Sequence, residues 1–109
     1  PNPERYSYLA TNLLQEKGYH VYPFGIKPGK IGALSILNEW PKKGTIDTVT
    51  LYLGPSGQVD YYDAILDLQP RRIIFNPGTE NPILESLAAN SGIQTMEACT
   101  LVLLKTGQY

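Results

Sequence analysis

The residues of this chain that could do chemistry lie mostly in turns, and two lysines stand out among them. Lys27 and Lys30 share a loop, residues 25–32, with three glycines and a proline. A lysine in such a loop can bind a phosphate group through a charge-assisted hydrogen bond. The same two lysines could equally be solvent-exposed loop charges, so their spacing by itself leaves both interpretations open.

The candidates for catalysis are Cys99, His20, Glu80 and Glu97. A thiol at a helix N-terminus has a lowered pKa, and two carboxylates across a cleft could act as acid and base. No motif pairs Cys99 with a histidine, however, and His20 is far in sequence from the expected site. We expect Cys99 to pack under a ligand and each glutamate to cap or orient a turn. The sequence therefore predicts neither a catalytic residue nor a metal site.

Residues 71–82 predict the local geometry that a ligand site would need. Within them, residues 73–75 form a short apolar run that is typical of a strand covered on both faces. Pro77-Gly78 ends this strand, and Thr79 or Asn81, with a proline behind it, predicts a helix N-cap. In open α/β sheets, ligands bind at this carboxyl end of a strand.

Further strands and helices alternate along the chain. The predicted strands are residues 19–24, 48–53 and 93–96, with a short strand or extended piece at 34–37. Residues 1–6 are predicted as a turn, and the predicted helices begin with Ser7 as N-cap, after the turn at 54–57, and at Cys99.

Two of these helices have apolar residues at helical spacing. The first carries Val59, Tyr62, Ile65 and Leu66, and the second carries Ile83, Leu84, Leu87 and Ala88. Arg71 and Arg72 precede a strand at the edge of the sheet away from the ligand, where we expect surface charges.

This alternation predicts the α/β class, with one Rossmann-like domain spanning residues 1–109 and helices on both faces of a parallel sheet. The carboxyl ends of the strands would then bring together four turns, residues 24–32, 54–58, 76–81 and 97–100. Their backbone N–H groups favour an anionic, phosphorylated ligand. A domain that prefers NAD has an acid near the end of its second strand, and this chain has lysines there instead. That difference favours a ribose with a phosphate monoester, as in NADP or coenzyme A (CoA).

Charge and composition narrow the partners. The net charge of the 109 residues is −1, so no strong electrostatic attraction to nucleic acid or to an anionic membrane is expected. No apolar run is long enough to span a bilayer, and the single cysteine fits a reducing compartment. We therefore expect a small cytoplasmic domain.

Five motifs follow one another along the chain: Asn2-Pro3-Glu4-Arg5-Tyr6-Ser7, Lys27-Pro28-Gly29-Lys30-Ile31-Gly32, Tyr52-Leu53-Gly54-Pro55, Asn76-Pro77-Gly78-Thr79-Glu80 and Glu97-Ala98-Cys99-Thr100. In this order they resemble the motifs of one family, the small CoA-binding proteins with a Rossmann-like fold. These proteins are relatives of the CoA-binding domain in the α subunit of succinyl-CoA synthetase.

The resemblance implies bound CoA or acyl-CoA and a set of binding residues. Ser7 and the amides near it would face the pyrophosphate, and Lys30, rather than Lys27, would meet the 3′-phosphate. Gly25, Gly54 and Pro55 would let ligand and backbone approach closely. The remaining implied binding residues are Asn2, Arg5, Tyr52, Asn76, Pro77, Gly78 and Cys99.

The resemblance also implies a central first strand with a glycine-rich turn, which would precede Pro1. We expect this strand between residues 19–24 and residues 72–75, supplied by about ten upstream residues or by another chain, because unpaired strand edges are costly to bury.

The function that these observations predict is non-catalytic CoA or acyl-CoA binding in a carrier, sensor or regulatory role. Two alternatives are an NADP-type nucleotide-binding domain of an oxidoreductase and a protein-interaction module with a vestigial cleft. A homo-oligomer or a protein partner is possible with each of them.

Overall fold

The computed structural model describes residues 3–21, 30–31, 34–35 and 41–109, with side chains for residues 6–21 and 41–109. The helices are α1 (Pro3–Glu16), α2 (Pro55–Gln58), α3 (Tyr62–Asp67), α4 (Pro82–Asn90) and α5 (Thr100–Lys105), and a 3₁₀ turn, Val59–Tyr61, joins α2 to α3. The strands are β1 (Lys30–Ile31), β2 (Leu34–Ser35), β3 (Thr48–Leu51), β4 (Arg72–Phe75) and β5 (Gln94–Glu97).

The main sheet has three parallel strands in the order β3-β4-β5. The strands are in register, so that Leu51, Phe75 and Glu97 end the sheet at one level. β1 and β2 form a separate antiparallel pair. The alternation of parallel strands with helices confirms the predicted α/β, Rossmann-like class.

The strand order corrects one expectation. We expected residues 72–75 to flank a central first strand, but β4 pairs with β3 on one side and with β5 on the other. Both edges of β4 are therefore occupied, and no further strand can lie beside it. The predicted strand at residues 93–96 lies at 94–97 in the structure. The predicted strand at residues 48–53 ends two residues earlier, at Leu51.

β4 is central because both of its faces are apolar. All four of its residues are buried, and Ile73, Ile74 and Phe75 have no exposed surface. Ile73 and Phe75 pack in one cluster with Ile65 of α3 and Leu84 of α4. Side chains alternate along a strand, so Ile74 faces the opposite side of the sheet.

The opposite face of the sheet is covered by α5 and α1. The Thr50 hydroxyl, which lies on this face, is 2.9 Å from the hydroxyl of Thr100, the first residue of α5. α1 packs against α5 and buries Ala10 and Leu14. Helices therefore cover both faces, as the sequence predicted.

The first helix begins earlier than predicted. α1 starts at Pro3, so residues 3–6 are helical and Ser7 is an internal residue of the helix, not its N-cap. Proline at the first position of a helix costs no hydrogen bond, which explains how the helix can start there. The Ser7 carbonyl accepts a hydrogen bond from the Thr11 hydroxyl, 2.8 Å away.

The region after α1 differs from the predicted strand and loop. Residues 19–21 are not in a strand, and residues 22–24 lie outside the described part of the structure. Lys30 was predicted in a loop, but it lies in β1, because Lys30 and Ile31 pair with Ser35 and Leu34.

Fewer apolar residues of the two predicted helical faces are buried than their spacing suggested. Val59, Ile83 and Leu87 are exposed, at 56%, 64% and 39%. Residues 55–67 fold as α2, a 3₁₀ turn and α3 rather than as one helix, which turns Val59 away from the core. In the part of the chain that the structure describes, no helix has the length and apolar character to cross a membrane.

Arg72 corrects another expectation, since it is buried rather than a surface charge. Its guanidinium carbon lies 4.6 Å from the centroid of the Tyr109 ring, and its Nε donates to the Thr48 hydroxyl over 3.2 Å. The aromatic face compensates part of the lost hydration of the cation. Arg71 is exposed, as expected, and forms two hydrogen bonds to Asp47.

We expect Asp47→Asn to lower stability in a pH-dependent way. The hydrogen bond from Arg71, then that from Thr48, lowers the pKa of Asp47 to about 2. A depressed pKa means that the stabilisation is present above the ordinary pKa of 3.8 and is lost as the pH falls through the folded value. Because the pair is exposed, the decrease in Tm at neutral pH should not exceed about 4 °C. Thermal unfolding from pH 7 to pH 2 measures this, and a Tm difference that grows toward pH 2 contradicts the assignment.

Candidate functional site

The candidate site lies at the carboxyl edge of the three-stranded sheet. The strands end level, and each is followed at once by a turn that leads into a helix. The turns are residues 52–54, 76–81 and 98–99. Three of the four predicted turns therefore lie side by side, while most of the fourth, residues 24–32, lies outside the described residues.

Asn76, directly after β4, joins the end of β3 to the start of α5 through its buried side chain. Its Nδ2 donates to the carbonyl of Leu51 and to the hydroxyl of Thr50, each over 2.8 Å. Its Oδ1 accepts the backbone N–H of Thr100, also over 2.8 Å. The side chain is only 2% exposed, so these bonds form away from water. They continue the hydrogen bonding between β3 and β4 by one residue beyond Phe75, the last paired residue of β4.

Next to Asn76 lies a small polar group formed by Thr50, Thr100 and Tyr52. Tyr52 lies on the Thr50 face of β3, and its buried hydroxyl has no hydrogen-bond partner of standard geometry among the described residues. Burial raises the pKa of the Tyr52 phenol, although the hydroxyls of Thr50 and Thr100 act in the opposite direction. A buried hydroxyl without a hydrogen-bond partner is unusual in a folded protein, so the Tyr52 hydroxyl still has an unused hydrogen-bonding group at this edge.

A second buried carboxamide, that of Gln58, connects the turn after β3 with the turn after β4. Its Nε2 donates to the carbonyls of Leu53 and Thr79, at 2.7 and 2.8 Å. Its Oε1 accepts from Asn81 Nδ2 at 3.0 Å. Asn81 is also the N-cap of α4, because its Oδ1 accepts the N–H groups of Ile83 and Leu84. This confirms one of the two predicted N-caps, with Pro82 at the first helical position.

The turn after β3 offers accessible backbone. A side chain at Gly54 would meet no described atom within 4 Å, and Pro55 begins α2 as an exposed residue. Gly57 is closely packed instead, since a Cβ there would lie 2.8 Å from the Leu53 side chain. The turn is thus open at Gly54 and tightly held one residue before Gln58.

The turn after β4 contains Gly78, whose φ of +91° is a conformation that glycine adopts without strain. The Gly78 N–H donates to Glu80 Oε1 over 2.8 Å, so Glu80 orients the turn, in agreement with its predicted role. The N–H and the hydroxyl of Thr79 both donate to the carbonyl of Asn76.

The carboxylate pair at this edge is Glu85 with Glu97, not Glu80 with Glu97. Burial first, and then the neighbouring Glu97 carboxyl, raise the pKa of Glu85. Glu85 Oε2 also accepts the N–H of Asn81 over 3.3 Å. This negative charge lies on the β5 side of the edge, which leaves the β3 side more favourable for an anion.

Cys99 is the N-cap residue of α5 and is half-buried, although its side chain makes no capping hydrogen bond. It lies directly before Thr100, whose N–H is taken by Asn76. His20 is exposed and lies four residues after the end of α1. Its neighbour Tyr19 packs against the Tyr109 ring, which contacts Arg72 at the amino end of β4. Among the described residues, no group of histidine, cysteine and acidic side chains could hold a metal ion.

A comparison with protein families matches residues 1–105 to the CoA binding domain. The chain belongs to the CoA-binding domain family. A sequence comparison with curated proteins gave no match.

Solved structures share this fold over the whole domain. An uncharacterized protein has a TM-score of 0.92 and 44% sequence identity, covering 100% of this chain and 90% of that one. A Thermus thermophilus protein has a TM-score of 0.82 at 21% identity, covering 100% and 84% of the two chains. A hypothetical protein from Pyrococcus horikoshii OT3 has a TM-score of 0.83 at 21% identity, covering 97% and 76%. The last two likenesses show the fold alone.

The structure brings part of the predicted site of the CoA-binding domain together. The residues that lie at the carboxyl edge are Tyr52, Gly54, Pro55, Asn76, Pro77, Gly78 and Cys99. Asn2, Gly25 and Lys27 lie outside the described residues, as do the side chains of Arg5 and Lys30. A binding role for each of these residues stays a prediction.

The sequence analysis missed Gln58 and Thr100. Both are fully buried polar residues, and both supply hydrogen bonds that hold the turns of the CoA-binding domain. Both residues end predicted turns, residues 54–58 and 97–100, but neither turn motif indicates that this residue is buried and hydrogen-bonded. Their roles depend on partners 21 to 24 residues away in the chain.

We expect Asn76→Ala to destabilise the CoA-binding domain strongly. The substitution removes the side-chain partner of the buried Leu51 carbonyl and of the Thr100 N–H, at about 1–3 kcal/mol each, or roughly 2–6 kcal/mol in total. Urea unfolding measures the loss. Thr45→Ala is the control, because it removes an exposed hydroxyl bonded to the Lys42 carbonyl, which water can replace. Equal losses for the two variants would contradict the role given to Asn76.

Proposed function

We propose that this domain binds CoA or acyl-CoA at the carboxyl edge of its sheet, as a carrier, sensor or regulatory module without chemistry of its own. The observation that carries the proposal is the level edge itself, where three turns present backbone and glycine side by side in a chain of the CoA-binding domain family. Parallel sheets bind nucleotide-like ligands at this edge.

The residues present fit such a ligand. Gly54 leaves room beside the backbone for a close approach, and the open turn after β3 lies on the side away from Glu85 and Glu97. In this proposal the phosphates of CoA lie toward the β3 side and toward Lys27 and Lys30, whose charge would balance them. The adenine and pantetheine portions would pack along Tyr52 and Pro55.

Pyrophosphate binding would involve α1. Since this helix starts at Pro3, the N–H groups of Glu4 and Arg5 lie in its first turn, where the helix itself supplies no acceptor, and Ser7 is a full turn further along. We therefore propose that Asn2, Arg5 and the first amides of α1 contact the pyrophosphate, with Ser7 in a supporting position. The single cysteine fits a reducing compartment, and we propose the cytoplasm as the location.

We expect CoA to bind more tightly than dephospho-CoA, and Lys30→Ala to remove most of the difference. Loss of a charge-assisted contact to the 3′-phosphate should cost about 1.5–3 kcal/mol, or one to two decades in Kd. Calorimetry with both ligands measures this. Lys42→Ala, an exposed lysine in the loop before β3, is the matched control and should bind CoA like the parent.

A thermal-shift series with CoA, acetyl-CoA, NADP and NAD separates this proposal from its alternatives. Stabilisation by NADP but not by CoA would favour an oxidoreductase nucleotide domain. No shift with any of the four would favour an interaction module. Equal Kd values for CoA and dephospho-CoA in the parent would remove the 3′-phosphate contact from the proposal.

We expect Cys99→Ser to leave CoA affinity within about threefold of the parent, because the thiol lies at a helix start and no base among the described residues is hydrogen-bonded to it. Incubation of the purified parent with acetyl-CoA should release no free thiol above the buffer rate. Acetyl-CoA hydrolysis with turnover that disappears in Cys99→Ser would show an enzyme and overturn the non-catalytic proposal.

A further inference from the structure

Gln58 is a fully buried polar residue in a four-residue helix, and every polar atom of its side chain is used. It has 0% exposed surface, and its amide contacts the carbonyls of Leu53 and Thr79 and the side chain of Asn81. A buried polar side chain with complete hydrogen bonding restricts the segments that it joins to one arrangement.

The direction of these hydrogen bonds is fixed by α4. The N–H groups of Ile83 and Leu84 donate to Asn81 Oδ1, so the other end of the Asn81 side chain must be its Nδ2. That Nδ2 donates to Gln58 Oε1, so Gln58 Nε2 faces the two carbonyls. A carboxylate at position 58 would place an acceptor against two acceptors, which is unfavourable.

Within the part of the chain that the structure describes, no backbone–backbone hydrogen bond joins the two turns that Gln58 connects. The β3–β4 ladder ends at Leu51 and Phe75, and no backbone–backbone hydrogen bond links residues 52–58 to residues 76–81. Their separation is therefore set by side chains. Gln58 spans it from the Leu53 carbonyl, directly before Gly54, to the Thr79 carbonyl.

We propose that Gln58 is a positioning residue for the ligand, holding the turn at Leu53–Pro55 at a fixed distance from the turn at Thr79–Asn81. The proposal rests on the proposed function, since it concerns CoA bound at the same edge. Gln58 itself cannot touch the ligand, because its side chain has no exposed surface. It acts by keeping both turns in the arrangement that one ligand can contact at the same time, which lowers the ordering cost of binding.

Gln58→Glu tests this with almost no change in side-chain shape. If the turns of the variant adopt the binding arrangement in about a tenth of the molecules, the apparent Kd for CoA rises roughly tenfold, because only that fraction can bind. Calorimetry with CoA is run at a temperature where circular dichroism shows every variant folded. Amide hydrogen exchange of residues 53–58 and 77–81 is measured in parallel and should be faster in the variant.

Ile65→Val is the matched control, because it removes one methylene from the core of α3 without touching either turn. It should lower the Tm while leaving the CoA Kd and the turn exchange unchanged. Asn81→Ser is the second variant if Gln58→Glu does not fold. Serine keeps an N-cap oxygen but removes the donor to Gln58, so a smaller loss of affinity, about threefold, is expected.

The outcomes separate this inference from the proposed function. Weaker CoA binding with faster turn exchange in Gln58→Glu or Asn81→Ser, but not in Ile65→Val, supports it. A parent that binds CoA while both turn variants bind equally well overturns the positioning role and leaves the proposed function in place. A parent that does not bind CoA overturns both.

Discussion

The structure depends on β4, which is buried on both faces and paired along both edges. Its apolar residues let α3 and α4 pack on one side of the sheet, while α5 and α1 cover the other. Because its neighbours pair with it in register, the strands end at one level. This level edge brings turns that are far apart in the chain into one surface, as ligand sites of parallel sheets require.

Beyond the last paired residues of the strands, buried side chains rather than backbone groups supply the hydrogen bonds that hold the edge together. Gln58 donates to carbonyls of the turns after β3 and β4, and Asn76 binds the Leu51 carbonyl and the Thr100 N–H, at distances of 2.7 to 2.8 Å. Hydrogen bonds in a buried setting are costly to leave unmade, so these two carboxamides constrain the edge more than exposed bonds could. The result is a hydrogen-bonded edge that keeps open backbone at Gly54.

Charge is distributed unevenly at the two ends of the sheet. At the amino end, Arg72 is buried under the Tyr109 ring and Arg71 pairs with Asp47, so these cations have structural partners. At the carboxyl end, Glu85 and Glu97 gather on the β5 side, and the raised pKa of Glu85 reflects its burial and their mutual repulsion. An anionic group would therefore meet less negative charge on the β3 side than beside Glu85 and Glu97.

The sequence by itself determined the α/β class, the strand at residues 72–75, and the turn and helix that follow, with Thr79 or Asn81 as cap, of which the structure has Asn81. These are local features, because an unbroken apolar run, Pro77-Gly78 and an N-cap before proline act within a few residues of one another. Only the tertiary structure decided the neighbours of β4, the burial of Arg72 and the contacts of Gln58. Strand pairing and polar burial depend on groups that are 20 or more residues away, such as Thr79 for Gln58 and Thr48 for Arg72. No local pattern encodes which distant carbonyl or ring a polar side chain will meet, because the packing of the whole sheet selects it.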